Sequence, residues 1–297
     1  MIALLSYGSQ IRRGRYTLHS KFASAANFFS DDAFAFVVDS RAGAGPLNIV
    51  VEGTAPDSVR SLEIHNGSFH LDENRISIKD SALYDSDIHI DGFNRTLFRH
   101  NQRVLEDALI KYSPPRSLAF LIDHKRKTEF TSSFDRAIVK RLEEGLKKLL
   151  AGDYRGGGEM MKGIGYGLTP SGDDFISGFL VALNVRQRIL HTDLSPAIKT
   201  LHQAAKGGNV FTNAFLDCAS RGHVSEKFKR LIHALCHSEE DEIVSCTRRL
   251  LSVGATSGAD QAVGFLIGMT RSYPASTGCY MSGQHPARIR QSVSLLV

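Results

Sequence analysis

The hydrophobic period of this chain changes once, and that change limits what it can fold into. From Met1 to about Asp91, apolar residues alternate with a period of two between turn residues; after Asn94 they recur every three to four positions. The first pattern suits a half-buried strand, whose successive side chains point to opposite faces, and the second suits an amphipathic helix. The expected fold is α+β: a β-rich, barrel-like or sandwich-like domain over 1–93, a helix and linker over 94–132, and a helical domain over 133–297.

In the β half, "AFAFVVD" (33–39) and "LNIVVE" (47–52) read as buried strands, and "RISIK" (75–79) and "DIHID" (87–91) continue the alternation. In "LEIHNGSFHL" the pair Asn66-Gly67 predicts a two-residue hairpin turn, because both residues tolerate positive φ. That register sets Ile64 opposite Phe69 and Leu62 opposite Leu71. In the helical half, "RTLFRHNQRVLEDALIKY" stops before Pro114-Pro115. "SFDRAIVKRLEEGLKKLLAG" places Phe134, Ile138, Leu142, Leu146 and Leu149 on one face and stops at Gly152. Ser195 as N-cap with Pro196 in the first turn opens another helix, and "SEKFKRLIHALCH" and "DEIVSCTRRLLSVG" give two more.

Net charge is +5, but the cations are scattered in short groups such as "HKRK" (124–127), with no aromatic ladder beside them. That argues against nucleic acid and suits a small anionic ligand. The N-terminal apolar run is too short for a signal peptide and carries its basic residues on the wrong side, and no apolar stretch is long enough to span a bilayer. Cys218, Cys236, Cys246 and Cys279 form no CxxC pair. A cytoplasmic protein with reduced thiols is expected.

The feature most suggestive of chemistry is a repeated sentence. "GIGYGLTPSGDDFISGFLVAL" (163–183) and "GATSGADQAVGFLIGM" (254–269) share Ser-Gly, an Asp three places after the Ser, and Gly-Phe-Leu starting at the seventh. Thr169-Pro170 has the form of a helix start, Thr as N-cap and Pro at the first position. Ser171, Asp174, Gly178 and Ala182 then share one helical stripe, as do Ser257, Asp260, Gly264 and Gly268. The two copies lie 86 residues apart, too far for a short solenoid repeat. Two related helices are expected, each presenting Ser and Asp at its start above a seam of small residues.

Three readings of these starts stay open. Unpaired first-turn N–H groups could seat an anion, with Gly165, Gly167, Thr169, Ser171, Gly172, Ser257 and Gly258 as candidate binding positions. Asp173 or Asp174 could hold a Mg²⁺-type cation. Or Ser and Asp only cap, and Gly only packs. Asp173, Asp174 and Asp260 are the candidate catalytic carboxylates; Lys162 and Arg155 could supply positive charge to an anion. The glycine run is neither a Walker A loop nor a dinucleotide fingerprint, and no Gly-x-Ser-x-Gly elbow occurs. His233 and His237 flank Cys236 at metal-capable spacing without the Glu of a zinc-protease helix, and Thr212 and Asn213 sit near a helix start.

"GLTPSGDDFISGFL" resembles the signature of the AllH-like family, and "GATSGADQAVGFLIG" its second signature; "HSKFASAANFF" and "GAGPLNIVV" are similar to its opening strands. The sequence departs from the family pattern at Tyr166, where Pro is usual, and at Ala255, where His is usual. The resemblance implies a subunit of oxamate carbamoyltransferase, or of a paralogous complex, from anaerobic allantoin breakdown. That enzyme interconverts N-carbamoyl-oxamate plus phosphate with oxamate plus carbamoyl phosphate. It also implies an acyl-CoA-synthetase-like partner subunit and a further partner subunit. The alternative expectation is a non-catalytic scaffold or regulatory subunit of such a complex.

Overall fold

The computed structural model describes residues 2–31, 33–78 and 82–270. Cys279, Lys79 and the polar tail assigned above to the helical domain lie outside them. The chain divides into two compact units: residues up to His89 with Gly222–Arg230, and Ile90–Arg221 with the residues from Leu231 on. The architecture is α+β, as the change of period predicts.

The first unit is one sheet. Its strands are β1 (Ala3–Gly8), β2 (Gly14–Phe22), β3 (Ala25–Ser30), β4 (Ala33–Val38), β5 (Asn48–Glu52), β6 (Leu62–His65), β7 (Ser68–Leu71), β8 (Asn74–Ser77) and β9 (Leu83–Tyr84), in the order β8-β7-β6-β2-β3-β4-β5-β1-β9. Tyr7 of β1 and Phe69 of β7 are six places apart in that order, roughly 29 Å across a flat sheet at about 4.8 Å per strand. Their rings nevertheless meet edge to face at 5.5 Å, so the sheet curls round its core as an open half-barrel rather than forming a sandwich. Phe28, Val37, Ile49, Leu62, Phe69 and Leu71 fill the concave side.

The hairpin has the predicted register, Leu62 opposite Leu71 and Ile64 opposite Phe69. Only Gly67 takes positive φ at the turn; Asn66 does not. "DIHID" is not a strand: Asp87 makes one isolated bridge, to His223. Carboxylates occupy the backbone there instead, Asp85 accepting from the Asp87 N–H and Asp87 from the Ile88 N–H. The segment Gly222–Arg230 is tied into this unit, with the Val224 N–H donating to Ser86 and the Glu226 N–H to Ala44.

The second unit contains α1 (Arg95–Tyr112), a 3-10 turn at Leu118–Leu121, α2 (Ser133–Ala151), α3 (Tyr154–Met161), α4 (Ser171–Leu190), α5 (Ser195–Ala205) and α6 (Val210–Ser220). The C-terminal end of α7 (Glu226–His237), α8 (Glu240–Leu251) and α9 (Ser257–Thr270) complete it. Local chemistry sets the ends. Asn94 caps α1, Ser132 and Asp135 form a capping box on α2, and Gly152 closes α2 at φ +92°. Ser195 is the first residue of α5 rather than its cap. Helix α3, with three consecutive glycines, carries no sequence signal strong enough to announce it. Phe134, expected on the buried face of α2, is exposed.

Helix α4 is buried on every side from Ser171 to Arg186, and α9 from Gly258 to Gly268 apart from Gln261. They form the centre of the unit: α3, α5 and α6 pack on α4, while α1, α8 and the 3-10 turn pack on α9. No helix among the described residues is long and apolar enough to cross a membrane.

Candidate functional site

The repeated sentence is first a packing code. A Cβ on Gly178 would lie 1.9 Å from the Gln261 carbonyl oxygen, and one on Gly264 would lie 2.0 Å from the Phe175 carbonyl oxygen. Gly178 matches Gly264 across the 86-residue offset, and Phe175 matches Gln261. The contact is therefore exchanged between the copies, as across a two-fold axis. Gly172 and Gly258 repeat the device against helix ends, a Cβ on them meeting the Met161 and Leu250 carbonyls at 2.0 and 1.9 Å. The polar residues follow the same symmetry, Asp174 feeling the Ser257 hydroxyl and Asp260 the Ser171 hydroxyl.

Both helix starts meet. Thr169 Oγ1 donates to Asp174 Oδ2 at 3.0 Å and lies 3.1 Å from Ser257 Oγ, and Gln261 Nε2 donates to Asp174 Oδ1 at 3.3 Å. The Leu118 N–H donates to Asp260 Oδ1 at 2.6 Å, while Asp260 Oδ2 has no partner in hydrogen-bond geometry. Asp173 Oδ1 accepts from the Gly163 N–H at 2.7 Å. The three carboxylates are 4, 5 and 0 % exposed at Asp173, Asp174 and Asp260.

One expectation needs correction. Thr169 is not an N-cap with Pro170 as the first helical residue: α4 begins at Ser171, and Thr169 turns its hydroxyl to Asp174 instead. Several first-turn amides are engaged within the chain. The Gly172 N–H donates to Ile164, those of Asp173 and Asp174 to Pro170, that of Gly258 to Val253 and that of Asp260 to Thr256. Asp173 and Asp174, about 100° apart on the helix, take hydrogen bonds from different partners rather than sharing a point. Among the described residues no group of three His, Cys, Asp or Glu side chains is placed to hold a metal ion. The His233 and His237 rings meet at 4.6 Å, tilted by 45°, on an exposed face, with Cys236 buried beside them.

Gly165 (φ +124°) arches over the start of α4, where a Cβ would lie 2.6 Å from the Ser171 nitrogen, and Gly167 (φ +93°) continues the loop. Lys162 is a cation acting on Asp173; its Nζ donates to the Lys206 carbonyl. Arg155 is exposed on α3. Asn213 is spent on closing its own loop, donating to and accepting from Gly207. Thr212 is buried near Asp173 and holds that carboxyl's pKa down, yet its hydroxyl makes no hydrogen bond of acceptable geometry. A groove of about 580 Å³ between α2 and α3, lined by Lys140, Arg141, Glu144, Lys148 and Glu159, is open to solvent and contains none of these residues.

Several helix starts surround the loop 163–170. Asn209, which caps α6, donates to the Leu168 carbonyl, and Tyr166 donates to Asp135 in the first turn of α2. The starts of α2, α4, α6, α9 and the 3-10 turn thus gather round one loop, their dipoles favouring negative charge there. Burial works against that charge. It pushes Asp173 up to about 6 and Asp174 and Asp260 up to about 7, each more than its hydrogen bonds restore. Asp135 is the contrast: the Tyr166 hydroxyl and Arg116 hold it down at about 2.

A pH dependence follows. The folded chain keeps protons on Asp174 and Asp260 to about pH 7, whereas the unfolded chain releases them near 3.8. Between those limits the native state binds more protons, so stability falls as pH rises and levels off above about pH 7. Asp174→Asn, uncharged throughout, should flatten the curve of melting temperature against pH. A wild-type melting temperature that climbs steadily from about pH 4.5 to 7.5 would contradict this assignment.

The asymmetry between the copies separates packing from chemistry. Where the first has Thr169, Asp173 and Phe175, the second has Ala255, Ala259 and Gln261. Asp173 therefore has no counterpart in the symmetric scheme, and Gln261 reaches across to Asp174. Sequence reasoning missed Gln261, although its break in the repeat was a visible signal. It also missed the backbone N–H groups of Leu118 and Gly163, for which no signal exists.

These units define an α+β chain whose helical part is built on a paired helix junction with carboxylates gathered at its start. The family model described as oxamate carbamoyltransferase subunit AllH matches residues 161–269, from the end of α3 into α9. Over that junction, just over a third of its length, the chain is similar to the AllH subunit family. No curated protein and no solved structure matches it.

Proposed function

We propose that this chain is the AllH-like subunit of an oxamate carbamoyltransferase or paralogous complex, and that its carboxylate cluster meets the reacting carbamoyl group. The observation that carries the reading is Asp173. It is a buried carboxyl drawn towards neutrality, outside the symmetric packing scheme, beside the unsatisfied hydroxyl of Thr212 and under a glycine loop. A carbamoyl group offers N–H donors to carboxylates and a carbonyl oxygen to hydroxyls, so it suits this cluster better than a bare phosphate does. The gathered helix starts supply the positive field for the anionic part of the substrate.

In the transfer, a phosphate oxygen attacks the carbamoyl carbon and the bond to the leaving nitrogen breaks. That nitrogen takes the proton of Asp173, and solvent reprotonates the carboxylate. A carboxyl with a value of about 6 is well placed for such work near neutral pH. The test is to purify the chain with the proteins encoded beside its gene and assay carbamoyl phosphate formation from several N-carbamoyl acids and phosphate. Formation from at least one is expected; none from any of them overturns the reading.

A further inference from the structure

Asp173 and Thr212 are both 4 % exposed, so no substrate reaches them past the loop 163–170 as it stands. That loop is an unusual cover. None of its residues is buried, and Tyr166 and Leu168 are each more than two-fifths exposed. Hydrogen bonds hold it to the helices, with no side chain packed into the core. A segment held in that way can open by itself, whereas a packed one opens only with its neighbours.

Its ties run to helix starts. The Tyr166 hydroxyl donates to Asp135 Oδ1 at 2.5 Å, and Arg116 pairs with the same oxygen while stacking on the Tyr166 ring at 4.8 Å. Asp135 is itself fixed, its other oxygen accepting from the Ser132 N–H in the capping box of α2. Asn209 Nδ2 donates to the Leu168 carbonyl at 2.7 Å, while its Oδ1 accepts from the Phe211 and Thr212 N–H groups of α6. Gly163 and Gly167 take φ of +70° and +93°; a Cβ would meet nothing within 4 Å at the first and a single atom, 3.9 Å away, at the second. The backbone has room to turn at both. Gly165 between them seats the loop, since a Cβ there would lie 2.6 Å from the Ser171 nitrogen.

We infer that the loop 163–170 is a lid, turning on Gly163 and Gly167 and caught shut by Tyr166 on Asp135, which lifts to admit a small amide-bearing or carbamoyl-bearing molecule to Asp173 and Thr212. Lifting withdraws the Gly163 N–H from Asp173 Oδ1 and frees that oxygen for an N–H of the ligand. The Thr212 hydroxyl, buried without a partner, would donate to the ligand's carbonyl oxygen. The inference rests on the carbamoyl reading for what enters but not for the motion, which deepens it: a carboxyl so enclosed serves a substrate only when its cover moves.

The test puts a thiol under the lid. Thr212→Cys, in the full chain, is treated with iodoacetamide and alkylation is followed by peptide mass. Cys218, on the same helix and buried, is the control that reacts only when α6 itself opens. The introduced thiol should react at least about tenfold faster than Cys218, yet well below the rate of a free thiol. Adding Tyr166→Phe should speed it about tenfold further, the effect of losing one hydrogen bond to a charged acceptor, with Cys218 and the melting temperature unchanged. A chain without the Thr212 change gives an independent reading. The Gly163 and Gly172 N–H groups, which donate to Asp173 and Ile164, should exchange together and ahead of the amides in the middle of α4. Tyr166→Phe should quicken both by one common factor.

An introduced thiol that reacts no faster than Cys218, or as fast as a free thiol, overturns the inference. So does a Tyr166→Phe chain that labels and exchanges like the wild type. The two readings fail separately, because no turnover is read in this test. A lid that lifts over an inert Asp173 stands while the carbamoyl reading falls, and a loop that never lifts removes the lid and leaves the carbamoyl phosphate assay to judge the other reading.

Discussion

Gly178→Ala should unfold the helical unit or lower its stability by more than about 4 kcal/mol. An alanine inside a helix normally gains roughly 1 kcal/mol over glycine. Here the added Cβ would sit 1.9 Å from the Gln261 carbonyl oxygen, a backbone atom on a helix buried along its length. That atom can yield only if α9 moves, and α9 carries α1, α8 and the 3-10 turn. Gly264→Ala should do the same through Phe175, whose carbonyl oxygen would lie 2.0 Å away. Since both changes force one helix crossing apart, the double variant should cost less than the two singles added together. Gly207→Ala and Gly208→Ala, with nothing within 4 Å, are the controls and should leave melting unchanged or slightly raised. Chemical denaturation followed by circular dichroism decides it. A Gly178→Ala protein that melts with the wild type would show that the helices do not cross where described.

The crossing also explains what could be read beforehand. Small residues at the fourth-turn spacing predict a close seam, and that much depends on period alone, so the stripe Ser171, Asp174, Gly178 and Ala182 was legible. The hairpin register was legible because alternation and a tight turn leave one pairing that buries Leu62 and Ile64 together. What failed depended on distant chain. Thr169-Pro170 has the composition of a cap, yet the hydroxyl goes to Asp174, at a carboxylate that Ser257 and Gln261 reach from distant chain. The acceptors of the Gly172 and Gly258 N–H groups, Ile164 and Val253, lie in loops whose course no local pattern sets. Phe134 matches the apolar period of α2 but faces outward, since the period fixes a stripe and not where its first turn ends. In "DIHID" the same alternation is real, but short carboxylates bonding to the neighbouring backbone outcompete a ladder.

Asp173→Asn should reduce carbamoyl transfer by the complex about a hundredfold to ten-thousandfold, the range lost with a general acid or base. Asparagine keeps an oxygen for the Gly163 N–H, so the loop and the fold should survive, and the melting temperature checks that. The pH profile distinguishes proton transfer from mere positioning. In phosphorolysis the protonated carboxyl serves the leaving nitrogen, so kcat/KM should fall as pH rises through about 6. In the reverse direction the carboxylate must take a proton from the attacking nitrogen, so the same group should make kcat/KM fall as pH drops through that value. Opposite limbs with one midpoint are required when a single group serves both directions, and both should vanish in Asp173→Asn. Thr212→Val should act on the limb rather than abolish it: its hydroxyl lowers the pKa of Asp173, so removing it should move the midpoint upward. A variant with full activity, or one that loses rate while keeping both limbs, would make Asp173 a structural residue and leave the paired helices without chemistry of their own.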